Sequence, residues 1–99
     1  DGGYVPALSR LAVAYGRSGQ DGKALDVLKE LAKRLPRSKE VCYNMACIHS
    51  RRGEVDEAVK WLKSAVDRGF NDVALMEKDR DLDNIRQSAY YRQLVGGVK

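Results

Sequence analysis

Apolar residues fall along this chain at spacings of three and four, and short polar or glycine-bearing breaks interrupt them at regular intervals. Leu8, Leu11, Ala12 and Tyr15 share one face of a helix. Gly16, Arg17, Ser18 and Gly19 break that pattern, and glycine tolerates the left-handed turn that ends a helix. Asp21 is placed to cap the next helix by accepting bonds from its free amides. Ala24, Leu25, Leu28, Leu31 and Ala32 form that helix's apolar stripe, which stops before Pro36. The pattern then starts again. Ser38 is placed to cap a third helix carrying Cys42, Met45, Ala46 and His49, and Gly53 marks the next turn. A fourth helix carries Ala58, Val59, Trp61, Leu62, Ala65 and Val66, and Gly69 ends it.

Sliding the sequence against itself by about 34 residues, a period diagnostic of helical repeats, makes the recurrence explicit. Leu11-Ala12 falls on Met45-Ala46, Arg17 on Arg51, Gly19 on Gly53, Ala24 on Ala58, Leu28-Lys29 on Leu62-Lys63 and Arg34 on Arg68, without a gap. With these residues in place the chain resembles the tetratricopeptide repeat family. A large apolar residue precedes a small one in the first helix (Leu11-Ala12, Met45-Ala46), and an aromatic follows the first of them at Tyr15. Gly19 and Gly53 match the turn glycine, Ala24 and Ala58 the small residue opening the second helix, and Pro36 the closing proline. The string Tyr43-Asn44-Met45-Ala46-Cys47 is similar to the opening of many such repeats. His49 stands in place of the usual aromatic, and we read it as a core ring with one bonded nitrogen; Phe70 stands where a second proline would be.

The expected fold is all-α, a right-handed superhelix of antiparallel helix pairs forming a single domain over residues 1–99. Repeat one spans 5–38, repeat two spans 39–72, and a helical cap spans 73–95. In that cap Asp72 and Ser88 are placed as helix caps around Val73, Leu75, Met76, Leu82, Ile85, Ala89, Tyr90, Leu94 and Val95. The run from Asp79 to Arg86 resembles a segment that often follows a terminal repeat of this family, where it covers an apolar face that would otherwise be wet. Its alternate carboxylates, Asp79, Asp81 and Asp83, do not make a calcium loop. Counted from Asp79, the sixth position is Asn84 rather than glycine and the twelfth is Tyr90 rather than glutamate. Capping and ion pairs to Lys78, Arg80 and Arg86 are expected instead.

Charge and composition narrow the function. The formal net charge is +4, with acids spread among the bases, unlike the one-sided basic face of a dedicated nucleic-acid binder. A basic helical nucleic-acid-binding domain is therefore the alternative reading, with a self-associating scaffold fragment of a larger protein as the third. Cys42 and Cys47 lie on one helix about 140° apart, which argues against a disulfide. Free thiols favour a reducing compartment, read here as cytoplasmic. No apolar run is long enough to span a membrane, no secretory leader pattern is evident, and the Asp1 start suggests a processed chain or a piece of a longer one. The lone His49 sits about 200° around the helix from Cys47, so no nucleophile–base pair forms between them. Zinc spacing is absent, and Gly2-Gly3 and Gly96-Gly97 read as linkers rather than phosphate loops. The chain is expected to be non-catalytic, without cofactor or metal.

The resemblance implies a concave face lined by the first helix of each pair, on which a protein or peptide partner lies. The outward positions there are Ser9, Arg10, Val13 and Arg17 in the first unit and Glu40, Tyr43, Asn44, Cys47 and Arg51 in the second. Arg17 and Arg51 favour carboxylates and hence an acidic partner, Tyr43 offers a flat apolar contact, and Asn44 can pair with a peptide backbone. Family members that clamp the carboxylate tail of chaperones use a lysine and asparagines; here Ser9 and Val13 occupy two of those places and only Asn44 fits. Two repeats are also a short array. A homodimer or a longer array is therefore expected unless the cap supplies the missing burial.

Overall fold

A computed structural model of the chain describes residues 4–98. Helix α1 spans Tyr4–Arg17, α2 Asp21–Arg34, α3 Lys39–Arg51 and α4 Val55–Asp67. A short α5 (Val73–Lys78), a 3-10 helix (Arg80–Ile85) and α6 (Ala89–Val98) follow, and there is no strand among the described residues. The fold is an all-α helical repeat. Gly96 and Gly97 lie inside α6 rather than in a linker, and Gly2-Gly3 lie outside the described residues.

The recurrence extends to individual hydrogen bonds. At the first turn the Gln20 amide donates to the Tyr15 carbonyl and the Ala24 amide to Gln20; at the second, Glu54 donates to His49 and Ala58 to Glu54. Gly19 and Gly53 adopt φ of 78° and 76° at matching places, the left-handed conformation that only glycine enters without a Cβ penalty. Caps differ from unit to unit. The Ser38 hydroxyl accepts from the Val41 amide as expected, but Asp21 is not the cap of α2. Gln20 holds that position without a side-chain bond, and the Asp21 carboxylate turns instead to Arg51.

Two core clusters lie along the array. One joins Ala12, Ala24, Leu25, Leu28 and Leu31 of the first pair to Val41, Met45 and Ile48 of α3. The other joins Cys42, Ala46, Ala58, Leu62 and Ala65 to Met76, Leu82, Ile85 and Tyr91 of the tail. Trp61, half-buried, packs against both. His49 is buried with its Nδ1 2.7 Å from Glu54 Oε1, as the core-ring reading requires. Leu11 departs from expectation. Placed by periodicity on the buried face of α1, it is 41% exposed, while its counterpart Met45 is 2% exposed. Met45 is covered by α2, and α1 has no described element on that side.

The tail keeps the repeat spacing more closely than its sequence suggests. The segment from Val73 to Ile85 holds the place that Lys39–Arg51 holds one unit earlier, and α6 begins where a second helix is due. The difference is a break at Asp79, whose extended backbone (φ −79°, ψ 109°) splits one helix into α5 and the 3-10 helix. Around the break Arg86 donates to Met76 O at 3.1 Å and Asp79 O at 2.6 Å, alongside the Tyr91 hydroxyl at Met76 and the Leu82 amide at Asp79. Asp72 and Ser88 cap their helices as expected, by accepting from the Leu75 and Tyr91 amides.

Candidate functional site

Between α1 and α3 runs a groove of about 400 Å³. Ala12, Val13, Leu28 and Ile48 give it an apolar floor, and Arg17, Asn44, Arg51, Asp79 and Asp81 stand around it. The geometry follows from helix period. Val13 and Arg17 are one turn apart on α1, and Asn44, Cys47 and Arg51 share one face of α3. Of the nine predicted site residues, the groove gathers Val13, Arg17, Tyr43, Asn44, Cys47 and Arg51. Ser9 and Arg10 instead line a shallower hollow on α1 with Val13, Ala14 and Arg17, and Glu40 lies at the start of α3, where its carboxylate is 3.4 Å from the Ser38 hydroxyl.

Three of the six are not presented as expected, because the chain's own tail reaches them first. Tyr43 is buried, its ring stacked on Phe70 with centroids 4.3 Å apart and planes 8° from parallel. Its hydroxyl donates to Asp79 Oδ2 at 2.7 Å, and the Cys47 thiol lies 3.7 Å from the same oxygen. Burial, reinforced by the nearby carboxylates, pushes the Cys47 thiol far above its ordinary range and leaves it protonated and inert. Burial likewise raises the Tyr43 hydroxyl. Arg51 is held on both sides, by Asp21 at 2.7 Å and Asp81 at 2.9 Å. Burial works against its charge, but the two carboxylates outweigh that and raise its pKa. Gly16 leaves room for the arrangement, since a Cβ there would stand 3.1 Å from Arg51 Nη2 and the guanidinium would have to give by a few tenths of an ångström.

The tail carboxylates therefore act on α3 as well as within the tail. Asp79 and Asp81 pair with Tyr43, Cys47 and Arg51 instead of the expected Lys78 and Arg80, and only Asp83 pairs with Arg86, at 2.9 Å. Sequence reasoning missed Asp79, Asp81 and Gly16. The matching of Arg17 with Arg51 gave no hint that, among the described residues, only the second finds ion-pair partners. One sulfur and two carboxylate oxygens, from Cys47, Asp79 and Asp81, come within 4.8 Å of one another. The Tyr43 hydroxyl and the Arg51 guanidinium already use those oxygens, so the group is a hydrogen-bonded tie between α3 and the tail. Two polar groups of the groove have no partner among the described residues: the exposed Asn44 amide and the exposed Arg17 guanidinium.

A tetratricopeptide repeat family model matches residues 41–74, the stretch from α3 through α4 into α5. That stretch is a tetratricopeptide repeat. The family generally mediates protein–protein interaction and is typically non-catalytic. Over 89 residues the chain is also 25% identical to a chloroplastic protein of Arabidopsis thaliana, a match covering 87% of this chain and 27% of that protein. The chain thus spans about a quarter of the curated relative it matches. No solved structure matches the chain. No helix among the described residues is long and apolar enough to cross a membrane.

Proposed function

We propose that the chain is a non-catalytic peptide-binding module whose ligand lies in the groove between α1 and α3. On this reading residues 5–38 and 39–72 are two repeats, residues 73–95 their terminating cap, and all belong to one domain. The observation that carries it is the pairing of an apolar floor (Ala12, Val13, Ile48) with two polar groups without partners among the described residues, Asn44 and Arg17. An extended segment meets the Asn44 amide through its backbone, sets one apolar side chain on Val13 and Ile48, and offers a carboxylate to Arg17. Arg51 does not serve such a ligand, since Asp21 and Asp81 already neutralise it. The acidic preference therefore rests on Arg17. Two free, buried thiols support a reducing location such as the cytoplasm; the relative's name places that protein in the chloroplast.

The test is selection of peptides from a random display library on the wild-type chain, followed by affinity measurement on two variants. Asn44→Ala and Val13→Asp should each weaken the selected peptides by about tenfold or more while thermal melting stays close to wild type, both positions being exposed. Unchanged affinity in both variants would place the ligand elsewhere.

A further inference from the structure

Resting on the groove reading above, we infer that Asp81, backed by Asp79, selects a basic side chain in the ligand, so that the groove takes a segment of mixed charge rather than an acidic one. The tail wall of the groove carries more carboxylate than its ties require. Asp21 already neutralises Arg51 at 2.7 Å, yet Asp81 joins the same guanidinium at 2.9 Å. Asp79 is held by neutral donors, the Tyr43 hydroxyl, the Cys47 thiol and the Asp81 amide. Among the described residues Arg51 is thus the only cation paired with these three carboxylates. Lys78 and Arg80, the tail's nearest cations in sequence, are exposed and enter none of the ion pairs found there. The Asp81 side chain is 35% exposed and lines the groove, so the surplus charge faces whatever lies in it.

The α1 side has the opposite surplus. Arg17 lines the same groove, and no ion pair among the described residues joins it to Asp79 or Asp81. Charges of opposite sign therefore stand apart with the face of α3 and its apolar floor between them. A polyacidic segment would meet Asp79 and Asp81, and a polybasic one would meet Arg17. A segment with one charge of each sign on either side of an apolar residue satisfies both ends, its basic side chain at Asp81 and its acidic one at Arg17.

The probe is a random peptide display library selected in parallel on wild type, Asp81→Asn and Asp83→Asn. Asp83 belongs to the same segment but pairs with Arg86 and does not line the groove. Wild-type peptides should share a lysine or arginine at a fixed spacing from an apolar residue. That preference should persist on Asp83→Asn and vanish on Asp81→Asn. Replacing the basic residue by a neutral isostere (citrulline for arginine, norleucine for lysine) should lower affinity about fivefold on wild type and not at all on Asp81→Asn. In wild type the Asp81 carboxyl resonance should move with the basic peptide and stay still with its isostere, a readout independent of how any variant folds. If selected peptides weaken on Asn44→Ala and Val13→Asp but share no basic position, the inference falls and the groove reading stands. Equal losses from the isostere on wild type and Asp81→Asn, or an unmoved Asp81 resonance, sink it in the same way. Peptides indifferent to both Asn44→Ala and Val13→Asp overturn the groove reading and this inference with it.

Discussion

Leu11 and Met45 hold the same place in successive helix pairs, yet one is 41% exposed and the other 2%. Neither residue type nor periodicity separates them, since both are large, apolar and followed by alanine. What separates them is the neighbour: Met45 lies on α2, and α1 has no described element in the equivalent position. Arg17 and Arg51 repeat the lesson in charge, one without an ion pair among the described residues and the other fixed between Asp21 and Asp81. In a helical repeat each unit contacts only its neighbours, so a residue's burial belongs to the interface between units rather than to the unit.

The sharpest way to break this comparison is to truncate both residues. Met45→Ala should cost about 2–4 kcal/mol, the range for emptying a packed core site, and Leu11→Ala less than about 1 kcal/mol. Urea unfolding of both variants measures the difference, and equal costs would mean that Leu11 is covered in solution. Charge reversal comes next. Arg51→Glu sets a carboxylate beside Asp21 and Asp81 and should cost about 2 kcal/mol, below the figure for a fully buried pair because the side chain is 28% exposed. Arg17→Glu should stay within about 0.5 kcal/mol of wild type; the same denaturant series resolves both.

The smallest effect is one of pH. Glu54 accepts from His49 where the first pair has Gln20 and Tyr15, and that bond, aided by Arg52, holds the Glu54 carboxyl below its ordinary 4.5. A depressed carboxylate contributes stability above its unfolded pKa and loses it as pH falls through the folded one. Melting temperatures of wild type and Glu54→Gln should therefore differ slightly at neutral pH, and the gap should close as pH falls below the ordinary 4.5 and through the depressed folded value. A gap that persisted in acid would assign the contact to packing instead of charge.

Much of the framework was legible from spacing alone. The helix pairs, the turn glycines, the Ser38, Asp72 and Ser88 caps and the burial of His49 all follow from local pattern. The site was legible in part. Val13, Arg17, Asn44 and Arg51 do gather around one groove, because a first helix recurs and its outward positions recur with it. Tyr43 and Cys47 could not be placed by the same rule, since their burial depends on Phe70 and Asp79, 27 or more residues away in sequence. Asp21 shows the limit from the other side. It has the right type and place for a cap, and a cation on the next repeat draws it away from the local amides.

The break at Asp79 has a consequence for substitution at Arg86. An intact helix closes its own carbonyl ladder; here one guanidinium shares that task with the Tyr91 hydroxyl at Met76 and the Leu82 amide at Asp79, while also bonding Asp83 and the Tyr91 hydroxyl. Four acceptors in three directions need the planar fork of arginine, and a lysine ammonium reaches too few of them at once. Arg86 is thus a keystone held by shape as much as by charge, and an exchange that conserves the charge still leaves the arch open.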